Sequence, residues 1–155
     1  MERNESLLIA TSHFWSVALN AFVFAHGPMS ITLADVLMLT GLKITGPVTP
    51  FDLLDKTTHR LKTKDVSGWS GYISAHAKTG LVDDREHTTF LNMWLEKFIF
   101  CGSTLGPTSN HQGLAECLVC GSEIPLGKYL LGSVYSLLHQ VSVKLSTGRC
   151  GGRFR

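Results

Sequence analysis

The stretch Asp83 to Phe100, DDREHTTFLNMWLEKFIF, constrains the fold more than any other part of the chain. Phe90, Leu91, Trp94, Leu95, Phe98 and Ile99 recur at the i, i+1, i+4, i+5 spacing of one helical face, which predicts a helix buried along that stripe. Asp83 and Asp84 suit its N-terminal end, where the helix dipole favours negative charge. A helix of this kind needs other apolar faces to pack on. The sequence offers one from Pro125 to Gly148. There Leu126, Leu130, Leu137, Val141 and Leu145 line one side, and Leu131, Val134 and Leu138 widen it into the pattern of a long core helix. Each large side chain buried between such faces contributes about 1.5–3 kcal/mol.

Shorter elements fill the rest. Thr32 followed by Asp35 outlines a capping box, and Leu33, Val36, Leu37 and Leu39 follow with helical spacing. Gly41 is a natural stop, because glycine enters the left-handed conformation cheaply. Together they predict a helix over Leu33–Thr40. Gly68–Gly80 reads as a short helix between glycines, and HQGLAECLVCG as another closed by Gly121. Ser6–Phe24 has no clear period: LLIATSHFW fits a helix and AFVF a strand ending at the HGP turn. The expected fold class is mainly α, a helical domain with one small β-hairpin in the N-terminal third that pairs Ala21–Phe24 with Gly46–Val48. Thr49 caps a turn starting at Pro50. Residues 55–67, polar and mildly basic, are expected to form a mobile loop. The expected organisation is one domain over 1–148 and an Arg/Gly-rich tail over 149–155.

Composition excludes several classes. Hydrophobic residues make up 44% of the 155 and charged residues 17%, unlike a disordered chain. The net charge of +2 is too small for the basic stripe of a typical nucleic-acid surface. The basic residues that remain for that role are Lys56, Arg60, Lys62 and Lys64, with Arg149, Arg153 and Arg155 in the tail. No apolar run reaches the roughly 18–20 residues of a membrane span. The N-terminus lacks a long apolar core of the signal-peptide kind, so the cysteines are expected to be thiols in a reducing compartment.

Chemical motifs are sparse. Cys117 and Cys120 form a CxxC and, with Cys101 and His111, could supply four zinc ligands. The spacing matches no common zinc module, and the pair sits in an apolar helical pattern where cysteine behaves as a small hydrophobe. Cys150 lies in the tail. No G-x-S-x-G elbow, phosphate loop, H-E-x-x-H or dinucleotide fingerprint occurs. The polar residues best placed for an enzymatic role are His26, Asp35, Glu86 and His87. Lys97 and Lys128 read as helix-surface charges, and Trp15, Trp69 and Trp94 as core anchors. No catalytic, cofactor-binding or metal-ligating residue is assigned.

Three blocks carry a resemblance. Phe14–Gly46 contains GPMSITLADVLMLTGL, Glu86–Gly102 contains WLEKFIFCG, and Gly113–Gln140 contains PLGKYLLGSVYSLL. In this order they resemble the plant mobile domain, also catalogued as aminotransferase-like, which occurs in plant transposable elements and in host proteins derived from them, including the maintenance-of-meristems proteins. The resemblance implies a nuclear, non-enzymatic, transposon-derived interaction domain in gene regulation, transposon silencing and meristem maintenance. Its implied partners are proteins, among them phosphatase-like proteins carrying or binding the same domain. The alternatives are a nucleic-acid-binding module or a degenerate transposon-encoded enzyme. No lysine sits in a recognisable pyridoxal-phosphate setting, so the aminotransferase label has no support in the residues. The family domain is usually longer, which implies an N-terminal portion that self-associates or is poorly soluble when made alone.

Overall fold

The computed structural model describes residues 5–49, 57–58, 60–101 and 106–147. In chain order the elements are α1 (Glu5–Ser12), β1 (Trp15–Ser16), β2 (Ala21–Phe24), β3 (Gly27–Met29), α2 (Leu33–Thr40), α3 (Gly68–Ser74), α4 (Asp84–Trp94), a π-helical turn (Leu95–Ile99), α5 (Gln112–Val119) and α6 (Leu126–Ser146). The fold is mainly α with one small antiparallel sheet, as expected. Residue contacts group it into two compact units, 1–42 with 127–155, and 43–126.

In the first unit the strands run β1-β2-β3, with Trp15 opposite Phe22 and Phe22 opposite Met29. The expected pairing of Ala21–Phe24 with Gly46–Val48 is corrected: the partners of β2 are β1 and β3, and residues 46–48 form no strand. The reason is local. Phe24 pairs with Gly27 across a two-residue turn, Ala25–His26, and Gly27 takes φ +126°. A loop this short closes at less entropic cost than one spanning some twenty residues.

The first unit is held by aromatic and hydroxyl anchors more than by aliphatic burial. Trp15, 4% exposed, meets Phe22 edge-on at 5.0 Å and Tyr135 of α6 at 5.4 Å. Its Nε1–H donates to His139 Nδ1 at 3.4 Å, and its carbonyl accepts from Ser142 Oγ at 3.3 Å. Tyr135 Oη donates to the Ile31 carbonyl at 2.6 Å and lies 2.6 Å from Ser30 Oγ. The expected long core helix is therefore corrected. From Lys128 onward no residue of α6 is fully buried, and Leu137 and Val143 are exposed. One helix edge docks on the sheet through Tyr135, His139 and Ser142, polar positions that an apolar stripe does not reveal.

Helix α2 matches the expectation in both ends. Thr32 Oγ1 accepts from Asp35 N, the Asp35 carboxylate accepts from Thr32 N at 2.8 Å, and Gly41, at φ +68°, donates its N–H to the Leu37 carbonyl. Its side chains do not follow: only Val36 is buried, and Met38 and Leu39 are 86% and 84% exposed.

In the second unit α4 packs chiefly against α5. The predicted apolar face is corrected here too. Leu95 is buried and Leu91, Trp94 and Ile99 are half-buried, but Phe90 and Phe98 are 52% and 58% exposed. The buried line is Thr88, Thr89, Asn92, Leu95 and Glu96. A polar line can face inward because Thr89 Oγ1, Asn92 Nδ2 and the Glu96 carboxylate find partners there, although Asn92 Oδ1 is buried without one. The π-helical turn then shifts the register, with Phe100 N–H donating to the Leu95 carbonyl five residues back. That brings Phe100, rather than Phe98, into the interior.

Of the expected mobile loop at 55–67, the described part is anchored. Leu61 is 3% exposed, and Lys62 N–H donates to His76 Nε2 at 3.1 Å. The turn expected at Pro50 lies outside the described residues. Helix α3 is shorter than predicted, ending at Ser74. Of the three tryptophans only Trp15 is a fully buried anchor, Trp69 and Trp94 being half-buried.

Two glycines test this packing in opposite directions. A Cβ on Gly46 would stand 2.6 Å from the Glu123 carbonyl oxygen, whereas one on Gly132 in α6 would meet nothing within 4 Å. Gly46→Ala should destabilise by about 1–3 kcal/mol through forced backbone movement. Gly132→Ala should stabilise by about 1 kcal/mol through helix propensity. Urea titrations of the two variants check both signs.

Candidate functional site

The chemistry of the second unit gathers around α4 and α5, and it has an inner and an outer part. The inner part holds two carboxylates. Glu96, 4% exposed, accepts from Thr108 N at 3.0 Å and from Thr108 Oγ1. His111 stacks on Phe100 at 4.5 Å and sets Nδ1 3.7 Å from Glu96 Oε1, an ion-pair distance when the imidazole is protonated but too long for a hydrogen bond. Glu116, 7% exposed, accepts from Gln112 Nε2 at 2.7 Å and from Thr58 N at 2.9 Å. Each carboxylate thus fixes the backbone of a segment remote in sequence.

Beside Glu96 on the buried line is Asn92, fully buried, whose Nδ2 donates to the Thr108 carbonyl at 2.8 Å and to Tyr72 Oη at 3.1 Å. Burial pushes the Tyr72 hydroxyl up to about 12, opposed by the Asn92 hydrogen bond and reinforced by the Glu96 charge. It stays a neutral phenol across the physiological range. For Glu96, burial alone would raise the carboxyl, but His111 and the two Thr108 donors outweigh it and hold the group below its ordinary 4.5. His76, 6% exposed, accepts Lys62 N–H on Nε2 and donates from Nδ1 to the Tyr72 carbonyl at 2.9 Å, partners that assign the tautomer with hydrogen on Nδ1.

The outer part is a groove of about 380 Å³ lined by Ile73, His76, Val82, Glu86, His87, Thr89 and Phe90. Its lining is mainly apolar. Val82 is 68% exposed and the adjacent Leu81 97%. A second, more open depression of about 500 Å³ is bounded by Asp83, Asp84, Arg85, Glu116 and Cys120, among others. Asp83 caps α4 by accepting from Glu86 N at 2.8 Å and pairs with Lys78, whose hydrogen bond leads the causes that lower its carboxyl.

The four polar candidates divide between the units. In the first, Asp35 is engaged in the α2 cap, and His26 stacks on Phe24 and sets Nε2 3.1 Å from Met29 Sδ. In the second, Glu86 and His87 share the groove wall. Arg60, Lys62 and Lys64 are exposed, while Lys56, Arg149, Arg153 and Arg155 lie outside the described residues. Cys101 and Cys120 are exposed, Cys117 is half-buried, and Cys150 lies outside the described residues. Among the described residues no three His, Cys, Asp or Glu side chains gather as a metal site. No helix among them is long and apolar enough to cross a membrane. Glu96, Thr108, Asn92 and Glu116 were not singled out by sequence. The available signal was a carboxylate placed inside an apolar helical stripe, at Glu96 between Leu95 and Phe98 and at Glu116 between Ala115 and Leu118.

Glu96 yields a pH prediction. A carboxyl held below its unfolded value stabilises the fold above about pH 4.5, and this contribution is lost as pH falls through the folded value. Glu96→Ala should cost about 2–3 kcal/mol at neutral pH, because Thr108 loses a charged acceptor. Glu96→Gln should show a flatter acid limb than the wild type. Thermal melts between pH 7 and pH 3 measure both effects.

No curated protein and no solved structure shows significant similarity to the chain. A family model does: the plant mobile domain matches residues 1–153, reaching well beyond the three blocks that carry the resemblance. The chain belongs to the plant mobile domain family.

Proposed function

We propose that this chain is a protein-interaction module without catalytic activity of its own. Following the resemblance, its setting is nuclear and its origin a transposable element, with roles in gene regulation, transposon silencing and meristem maintenance. Its partners are proteins, including phosphatase-like proteins that carry or bind the same domain.

The observation that carries this reading is the outward face of α4. Phe90 is 52% exposed at an apolar groove whose wall includes Val82, itself beside Leu81. Solvent-facing aromatics beside a concave apolar surface are typical of anchor sites for a partner. The polar groups point the same way. Asp35, Asp83, Glu96 and Glu116 are each engaged in a cap or a loop attachment, which leaves them structural work rather than proton transfer. Phe98, on the π-helical turn, is exposed too and has the Lys97 ammonium 5.3 Å from its ring centre.

The test is a comparative pull-down from plant nuclei with the wild-type chain and a Val82→Asp/Phe90→Glu variant. Both side chains are exposed, so the variant should keep its melting temperature. The expected result is a defined set of nuclear proteins retained by the wild type and reduced about tenfold or more by the variant. Equal retention by both, or no retention by either, would contradict the proposal.

A further inference from the structure

His76 is a buried titratable group to which the interaction reading gives no role. It is 6% exposed and holds two backbone groups at once. Its Nδ1 donates to the Tyr72 carbonyl at 2.9 Å, four residues back, and its Nε2 accepts the Lys62 N–H at 3.1 Å. The second bond ties segment 60–64 to the end of α3. The segment's other attachments are the buried side chain of Leu61 and a long contact, 3.5 Å, from Arg85 to the Arg60 carbonyl.

The Nε2 bond exists only while the ring is neutral. An imidazolium carries hydrogen on both nitrogens and has no lone pair to offer. A second proton would set Nε2–H against the Lys62 N–H, donor against donor, at a ring screened from solvent. The charges around the ring do not replace the lost bond. The segment brings Arg60, Lys62 and Lys64, exposed cations that disfavour a further positive charge, with Asp65 behind them. On α3 the Tyr72 ring, 5.0 Å away, stays neutral, and Lys78 beyond the helix is paired with Asp83. From α4, Glu86 and His87 line the groove that His76 also lines. Glu86 favours a charged ring, but among the described residues no carboxylate stands at ion-pair distance from His76.

We propose that His76 is a proton-sensitive latch: neutral, it clamps segment 60–64 onto α3, and a second proton on Nε2 releases the segment. Attachment is therefore complete at alkaline pH and is lost as pH falls through the range, about 5–8, in which imidazoles ordinarily titrate. The latch rests on the fold alone, so it holds or fails independently of the proposed function.

Nuclear magnetic resonance of the isotope-labelled full chain between pH 8 and pH 5 tests it. At pH 8 the His76 ring should show hydrogen on Nδ1 and a bare Nε2. As the ring takes its second proton, protection of the Lys62 amide against exchange, corrected for the intrinsic rate at each pH, should fall about tenfold or more. The Leu95 amide should keep its protection, which separates release from unfolding. His76→Gln, whose amide oxygen accepts without titrating, should keep the segment attached at pH 5, and His87→Gln should behave as the wild type. Where His76→Gln does not fold, the wild-type ring and Lys62 signals decide. A ring with hydrogen on Nε2 at pH 8 or still neutral at pH 5 would overturn the proposal. So would a Lys62 amide equally protected beside a charged ring, or a folded His76→Gln chain that loses the protection over the same range.

Discussion

The second unit depends on two carboxylates kept out of water. Glu96 and Glu116 face the interior from α4's continuation and from α5, and each accepts a backbone N–H from a distant segment, Thr108 and Thr58. A buried carboxylate is costly unless its oxygens are satisfied, so the helices and the segments they hold must form together. The rest of the unit follows. Asn92 bridges Tyr72 and Thr108, and His111 is trapped between Phe100 and Glu96. Because the inward face of α4 is occupied by this network, Phe90 turns outward. A polar interior and an apolar exterior are two sides of one arrangement.

The first unit solves its packing differently. Its centre is Trp15, held by Phe22 within the sheet and by Tyr135, His139 and Ser142 of α6. Hydroxyl and imidazole groups position the helix, so aliphatic side chains along α6 remain only half-covered. The same economy of burial leaves Phe14, Val23, Met29 and the α2 residues Leu37, Met38 and Leu39 facing solvent. Both units therefore present apolar surface outward, through different physical causes.

Much of the local structure was legible in the sequence. The capping box of Thr32 and Asp35 and the glycine stop at Gly41 define α2 at both ends, since these are short-range interactions among adjacent residues. Asp83 similarly marks the start of α4. Tertiary orientation was not legible. Periodicity identifies an apolar stripe on α4, but which side turns inward is decided by Thr108 and Tyr72, which lie 12 to 20 residues away along the chain. The π-helical turn adds a register shift that no local propensity announces. The hairpin partner was misread because the turn at Ala25–His26 contains no Asn-Gly or Asp-Gly signal. As for the candidate site, Glu86 and His87 were read from the sequence and do line the groove, whereas His26 and Asp35 serve local structure.

The account turns on the inversion of α4, with its polar line buried and its phenylalanines outside. Hydroxyl-radical footprinting of the folded chain, read residue by residue by mass spectrometry, tests this most directly. The account predicts fast oxidation of Phe90 and Phe98 and strong protection of Tyr72, Leu95 and Phe100. Protection of Phe90 and Phe98 to the level of Phe100 in the dilute protein would contradict it.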